Sequence, residues 1–288
     1  MHCLNDTVRS DSRPCLPKMT QKAADRVQLA NDLRFALATE ALEVHFQPQI
    51  ALANRRVVGV EALARWPHRE RGWIPPDEFI PIAEDSNLIH PLGEFVLAQS
   101  CRQLKAWDRA GISPLRVAVN VSARQFLSAG FLQKVEGALR VAELDPSRVE
   151  LELTVAMLLE NPDQAIERLA QLKALGVHIA VDQFGRYPHL TELSRLPIDC
   201  LKIDRSLVQR VDEERRAAEI VQSITGLAHT LGLRAVAVGV ETAEQLEFVR
   251  SQGCDEAQGE RLCRALPAEG LALLVASGAV SEASGTHE

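Results

Sequence analysis

Residues 45–66 have the sequence HFQPQIALANRRVVGVEALARW, and this stretch decides the fold of the chain. It contains two runs rich in β-forming residues, His45–Leu52 and Val57–Trp66, which are joined by only four residues. A connection of this length is too short for a helical crossover, so the two runs predict an antiparallel hairpin. Later runs are separated by helical patterns, which indicates that the hairpin begins a larger sheet.

Helical segments alternate with further β-rich runs along the rest of the chain. Asp163–Leu175 and Ala217–Leu231, for example, carry apolar residues at helical spacing. Such alternation predicts a parallel sheet covered by helices. With eight runs, the pattern predicts an α/β fold, a TIM-like (β/α)8 barrel with an antiparallel first strand. An open doubly wound sheet is the alternative, but no Gly-rich dinucleotide-binding motif follows any run. The six runs after the hairpin are Leu115–Ser122, Val149–Val155, His178–Phe184, Cys200–Asp204, Arg234–Val240 and Glu256–Glu260.

The two ends of the chain differ in composition from the part between them. We expect residues 1–24, which include Pro14 and Pro17, to form a mobile N-terminal tail, followed by a helix over Ala24–Thr39. Residues 25–276 are expected to form a single barrel domain. Residues 277–288 are small and polar, and we expect a disordered C-terminal tail.

Composition and charge narrow the classes of function. Hydrophobic residues make up 46% of the chain, enough for a large core, and no apolar run approaches the roughly 20 residues of a membrane span. The net charge of −7 argues against binding a DNA or RNA polymer. The six cysteines show no CxxC spacing, and we expect free thiols in a cytoplasmic protein.

Polar residues recur where the predicted strands end. Because the carboxyl ends of barrel strands share one rim, these side chains are expected to lie close together. Carboxylates in such a group repel one another unless a divalent cation lies among them, and oxygen donors favour Mg²⁺, Mn²⁺ or Ca²⁺. The alternative is that neighbouring arginines or backbone amides satisfy them. The rim residues are Glu61, Asn120, Glu152, Asp182, Gln183, Lys202, Asp204, Glu241 and Gln258.

Several of these residues belong to motifs that resemble the EAL family of cyclic di-GMP phosphodiesterases. Glu61–Trp66 is similar to the signature itself and lies in the expected setting after Gln47-Pro48. The resemblance extends in order from about Leu33 to Ala268. Its other motifs are Ile74–Pro81, Asn120–Phe126, Leu201–Arg205, Gly239–Thr242 and Gln258-Gly259.

The resemblance implies hydrolysis of cyclic di-GMP to linear pGpG with two divalent metal ions. It implies that Lys202 contacts the attacking water and that Glu241 is a supporting carboxylate. For the nucleotide it implies contacts from Gln47, Leu63 and Arg65, the last suited to a phosphate. The residues that the resemblance assigns to the first metal are Glu61, Asn120, Glu152 and Asp182.

The chain departs from the family pattern at four places. Gln183 replaces the second of two successive aspartates, which serves the second metal. Val238 replaces a glutamate assigned as general base or partner of the bridging water, and valine can neither bind a metal nor accept a proton. Val155 replaces a glutamate that anchors the loop after the fifth strand, and that loop, Gly185–His189, is itself altered. We therefore expect Mg²⁺ or Mn²⁺ at one site and loss of the second.

Three hypotheses follow. The first is a degenerate EAL domain, catalytically inactive or very weak, that binds cyclic di-GMP and relays its level to an unidentified protein partner. The second is an interaction module that binds no nucleotide. The third is a slow metal-dependent phosphodiesterase that gives pGpG. Related barrels also suggest a homodimer.

Overall fold

The computed structural model of the chain describes residues 16–112, 115–185 and 193–277. Strands alternate with helices through these ranges, as the sequence predicts. The strands are β1 Glu43–Ala51, β2 Val57–His68, β3 Gly72–Ile74, β4 Arg116–Asn120, β5 Val149–Thr154, β6 His178–Phe184, β7 Cys200–Ile203, β8 Arg234–Val238 and β9 Glu256–Gln258. The α-helices are α1 Leu16–Ala38, α2 Pro76–Asp85, α3 Ile89–Arg109, α4 Ala123–Leu127, α5 Phe131–Ala142, α6 Val155–Glu160, α7 Pro162–Leu175, α8 Arg205–Val208, α9 Arg215–Thr230, α10 Ala243–Ser251 and α11 Ala268–Ser277.

The sheet closes on itself into an eight-stranded barrel. In the order of hydrogen-bonded neighbours the strands are β1, β9, β8, β7, β6, β5, β4 and β2, and β2 pairs again with β1. β1 runs antiparallel to both of its neighbours, whereas the pairs from β2 to β9 around the rest of the barrel are parallel. The predicted TIM-like (β/α)8 barrel with an antiparallel first strand is therefore confirmed, and so is the hairpin at residues 45–66.

The short strand β3 was not predicted. It pairs antiparallel with the end of β2, where Trp66 lies opposite Ile74 and His68 opposite Gly72. Gly72 has a φ of 69°, a left-handed conformation that glycine adopts without strain. Three residues are too few to show an alternating pattern, so this extension has no recognisable signal in the sequence.

The first helix is longer than expected. α1 begins at Leu16, within the region for which a mobile tail is predicted, and ends at Ala38. Its buried residues Leu29, Leu33 and Ala36 recur at helical spacing, and the helix packs against α2 and α3. Residues 16–24, which the sequence predicts as part of a mobile tail, are helical in the structure, while residues 1–15 and 278–288 lie outside the described ranges.

Large side chains fill the space between the barrel and its helices. Trp66 and Phe79 are almost completely buried and meet edge to face, with ring centroids 5.8 Å apart. This packing fixes the carboxyl end of β2 against α2, and β2 carries part of the rim cluster described below. Among the helices of the described ranges, none combines the length and apolar character that a bilayer crossing requires.

Candidate functional site

Strand register brings the predicted rim residues onto the inner face of the barrel. Gln47 lies opposite Glu61, and Asn120 lies beside Glu152. Glu152 in turn lies beside Ala180, whose side chain shares a face with that of Asp182 two residues later. The same two-residue alternation places Lys202, Val238 and Gln258 inside the barrel, since Lys202 pairs with Val236 and Val238 with Gln258.

Lys202 lies at the centre of this group. Its ammonium donates to Glu61 Oε2 over 2.9 Å and to Glu152 Oε1 over 2.5 Å. All three side chains are buried, and only 1% of Lys202 is exposed. A buried ammonium is tolerated only when carboxylates pair with it, and here two do so directly. We call Glu61, Asn120, Glu152, Asp182 and Lys202 the rim cluster.

Two amide side chains donate to Glu61 from the other directions. Asn120 Nδ2 donates to Glu61 Oε1 over 2.6 Å, and Gln258 Nε2 donates to Glu61 Oε2 over 2.7 Å. Gln258 also donates to Gln47 Oε1 over 2.9 Å, and Gln47 donates to the carbonyl of Cys263. Gln258 is thus a member of the site that was not assigned a role from sequence, although its position at the end of the last strand pointed to the rim.

The charges of the rim cluster do not balance. Burial raises the pKa of Glu61, but the Lys202 charge and the hydrogen bonds to Gln258, Lys202 and Asn120 outweigh burial and lower it overall. Burial and repulsion by Glu61 raise the pKa of Glu152 well above its usual value. Burial likewise raises the pKa of Asp182. Three carboxylates facing one ammonium leave a surplus of negative charge, which a proton or a cation would offset.

Lys202 remains charged in this setting. Burial alone would lower the pKa of its ammonium, but the carboxylates of Glu152, Glu61 and Asp182 raise that pKa well above the usual range. Lys202 therefore acts as a fixed positive charge rather than as a base at neutral pH.

Gln183 and Val238 contribute no carboxylate to the site. The Gln183 side chain is exposed, and its backbone has a φ of 57° at the point where the pairing of β6 with β7 is irregular. Val238 is partly buried and packs against Ala180, Cys200 and Val236. At the level of Gln258, β8 therefore contributes an apolar side chain to the interior of the barrel.

A cleft of about 580 Å³ opens beside the rim cluster, between β2, α2, α3 and the end of β4. Leu63 and Arg65 line it, together with Asn120 and Gln183. Gln47 is not among its lining residues but is linked to Glu61 by two hydrogen bonds, both donated by Gln258. The cleft is large enough to hold part of a dinucleotide, and Arg65 supplies a cation at its edge.

Three further predicted site features lie outside the rim cluster. Glu241 is exposed, and its carboxylate accepts a hydrogen bond of 2.6 Å from Gln209, so the structure does not bring it into the rim cluster. Val155 is buried at the start of α6. Of the altered loop Gly185–His189, only Gly185 belongs to the described residues, where its φ is 109°.

Comparison with known proteins identifies the family. The EAL domain model matches residues 30–265, which is most of the chain. The chain therefore belongs to the EAL domain family. In phosphodiesterases of this family, activity depends on divalent metal ions.

Several relatives carry enzyme names. The chain is 42% identical over 259 residues to the bifunctional diguanylate cyclase/cyclic di-GMP phosphodiesterase MucR of Pseudomonas aeruginosa, covering 90% of this chain and 38% of MucR. It is 41% identical over 266 residues to the cyclic di-GMP phosphodiesterase NbdA of the same organism, covering 92% of this chain and 34% of NbdA. The chain thus spans about a third of the length of these curated relatives.

Solved structures show the same fold. A MucR phosphodiesterase in complex with cyclic di-GMP superposes with a TM-score of 0.82 at 43% identity, covering 85% of this chain and 99% of that one. The EAL enzyme Bd1971 in its cyclic GMP-bound form superposes with a TM-score of 0.83 at 28% identity, covering 90% of this chain and 72% of that one.

The rim cluster offers donors that suit one divalent cation. Its carboxylate and amide oxygens are the ligands that Mg²⁺ and Mn²⁺ prefer. Glu152 Oε2 is buried without a hydrogen-bond partner in the part of the chain that the structure describes, so one oxygen is already free for a cation. Within the same described ranges, however, no three acidic, histidine or cysteine side chains are placed to hold a metal. The donor set fits a cation chemically, but it is arranged around Lys202.

Proposed function

We propose that this chain binds cyclic di-GMP in the cleft beside the rim cluster and hydrolyses it very slowly or not at all. In this role the chain is an effector in cyclic di-GMP signalling that passes nucleotide binding on to a protein partner. Membership in the EAL family and the 43% identity to a phosphodiesterase solved with cyclic di-GMP support the choice of nucleotide.

One observation supports the proposed loss of activity. At the inner end of β8, beside an otherwise intact rim cluster, the side chain is that of Val238, which packs in an apolar group with Ala180, Cys200 and Val236. The valine side chain can neither accept a proton nor offer an oxygen to a second metal. Removal of one well-placed catalytic group commonly costs about 10²–10⁴ in rate.

The residues at the cleft have separate roles in this proposal. Arg65 offers a guanidinium to a phosphate, and Leu63 offers an apolar contact to a base. Glu61, Asn120, Glu152 and Asp182 would hold one Mg²⁺ or Mn²⁺, which would neutralise phosphate charge. Gln183 presents a neutral amide where a second metal would need a carboxylate, so a second metal site is lost.

Two measurements on the whole chain test the proposal. Calorimetric titration with cyclic di-GMP in Ca²⁺ or Mg²⁺ measures binding, and release of pGpG in Mg²⁺ or Mn²⁺ measures turnover. We expect micromolar binding without appreciable product. Arg65→Ala should weaken binding at least tenfold, whereas the matched control Arg140→Ala, at an exposed position on α5, should leave it unchanged.

The competing functions give different results in the same experiment. Turnover that Glu61→Ala abolishes would establish a slow phosphodiesterase, the function that the names of MucR and NbdA favour. Absence of nucleotide binding under all metal conditions would leave only an interaction module.

A further inference from the structure

We propose that Lys202 is the resident cation of the rim cluster and that a divalent metal ion binds there only by displacing its ammonium from Glu61 and Glu152. This inference concerns control of the same site as the proposed function. It does not require that nucleotide bind, because it is about the metal and the chain alone.

Three of the four carboxylate oxygens of Glu61 and Glu152 already accept hydrogen bonds. Lys202 Nζ donates hydrogen bonds to Glu61 Oε2 over 2.9 Å and to Glu152 Oε1 over 2.5 Å. Asn120 Nδ2 donates to Glu61 Oε1 over 2.6 Å. Within the described residues, Glu152 Oε2 is the one oxygen of these two carboxylates that lacks a hydrogen-bond partner. Mg²⁺ keeps several waters among its six oxygen ligands and takes the rest from one or two carboxylates. A cation that binds Glu61 must therefore take an oxygen that Lys202, Asn120 or Gln258 now holds.

Electrostatic repulsion between Lys202 and a divalent cation leads to the same conclusion as the hydrogen-bond geometry. An ammonium and a divalent cation that share the same two carboxylates repel each other strongly in a buried site. Only one of them can therefore hold both carboxylates at short distance. The lysine stem has four rotatable methylene groups, so its ammonium can leave the carboxylates while β7 stays in place.

Substitutions in this chain favour the lysine in that competition. Gln183 and Val238 add no negative charge to the barrel end, so Lys202 neutralises a larger share of the charge that remains. A metal would gain less at this site than at one with additional carboxylates. We therefore expect weak binding of metal by the unmodified chain.

The direct experiment is a titration with Mn²⁺ alone, followed by calorimetry and thermal unfolding. Lys202→Met keeps the length of the side chain and removes its charge. Without metal this variant should unfold at a lower temperature than the unmodified chain, and Mn²⁺ should restore the difference. Its affinity for Mn²⁺ should be at least tenfold higher than that of the unmodified chain.

Lys173→Met is the matched control. Lys173 also donates to a carboxylate, Asp199, over 2.7 and 2.8 Å, but it lies on α7, away from the rim cluster. This variant should keep the Mn²⁺ affinity of the unmodified chain. Equal or weaker affinity in Lys202→Met, or no metal binding in either protein, would overturn the proposal.

A measurement on the unmodified chain covers the case in which Lys202→Met does not fold. With ¹⁵N-labelled lysine, the buried ammonium of Lys202 should give a signal protected from exchange, assigned by its loss in Lys202→Arg. Saturating Mg²⁺ should shift this signal or abolish its protection and leave the signal of Lys173 unchanged. A Lys202 signal that does not change while calorimetry records Mg²⁺ binding would show that the two cations do not compete.

Discussion

The side-chain amide of Gln258 donates a hydrogen bond of 2.7 Å to the carboxylate of Glu61, although 197 residues separate the two in sequence. The bond joins the last strand of the barrel to the strand that carries the family signature. Because Glu61 is buried, each donor that reaches its carboxylate stabilises the charged form.

The first prediction is that Gln258→Leu lowers the free energy of unfolding by about 1–3 kcal/mol, the usual cost of removing a buried hydrogen bond to a charged group. Leucine is close to glutamine in volume, so the change tests the bond rather than a cavity. Urea unfolding at pH 7 measures it. Gln133→Leu, at an exposed position on α5, is the control and should change stability by less than about 0.5 kcal/mol. Equal effects of the two variants would contradict the prediction.

The second prediction concerns the backbone at Gln183. A φ of 57° is strained for a residue with a β-carbon and costs about 1–2 kcal/mol. Gln183→Gly removes that strain. Glycine also raises the conformational entropy of the unfolded chain, which offsets part of the increase in the free energy of unfolding. We expect the free energy of unfolding to rise by up to about 1 kcal/mol. Gln183→Ala keeps the β-carbon and should give no gain, so equal stability of the two variants would disprove the explanation.

The third prediction is a pH dependence that arises away from the rim cluster. Burial raises the pKa of Asp199, but the His178 ring 3.5 Å away and hydrogen bonds from Lys173 and the amide of Ile179 outweigh burial and hold the pKa well below the usual range. The folded state therefore binds a proton at this carboxylate less readily than the unfolded state does. The resulting stability is fully present above the unfolded pKa of about 3.9 and is lost as pH falls toward the lower folded pKa.

Unfolding measurements on Asp199→Asn test this dependence. The variant should be less stable than the unmodified chain at pH 7, and the difference should shrink as the pH falls below about 4. Asp163→Asn is the control, because the ion pair of Asp163 with Arg195 is exposed and should contribute little at either pH. A difference for Asp199→Asn that is constant between pH 7 and pH 3 would show that the carboxylate charge is not responsible.

Much of the fold follows from the sequence because two local constraints act together. The four-residue connection after Leu52 dictates an antiparallel pair, and the strand–helix alternation that follows dictates parallel pairs. The start of α1 was misjudged because Pro14 and Pro17 indicated a tail. Pro17 is in fact the second residue of the helix, where its missing N–H removes no helical hydrogen bond.

The candidate site was only partly predictable for a different reason. Strand periodicity assigns a side chain to a face, and it placed the residues of the rim cluster correctly on one face. It does not determine side-chain torsions, so it does not predict the central position of Lys202 between Glu61 and Glu152.

A second ionic group inside the barrel was missed altogether. Glu150 is two residues from Glu152 and lies on the same inner face, but one layer toward the opposite end. Arg234 pairs there with Glu150 and with Glu256, and Arg116 donates to Glu256 over 2.7 Å. Two glutamates at a spacing of two on one buried strand were the available signal. These side chains pair with one another at the barrel end away from the cleft.

The fourth prediction is that Gln183→Asp combined with Val238→Glu raises the rate of pGpG release by at least about 10² in Mg²⁺ or Mn²⁺. Val238 lies on the inner face opposite Gln258, so a glutamate there points toward the rim cluster. In the absence of metal the new carboxylate lies against apolar neighbours, and the double variant should be less stable until metal is added.

The rate of pGpG release from cyclic di-GMP tests this prediction. The neutral control is the double variant in which Val238→Gln replaces Val238→Glu. The increase in the rate of pGpG release should occur with the glutamate at position 238 and not with the neutral glutamine. It should disappear when Glu61→Ala is added, because the rim cluster then no longer holds the metal. A double variant that folds and binds cyclic di-GMP but turns it over no faster would locate a further defect outside these two positions. Val155 and the loop Gly185–His189 would then be the next residues to restore, since the family pattern differs there as well.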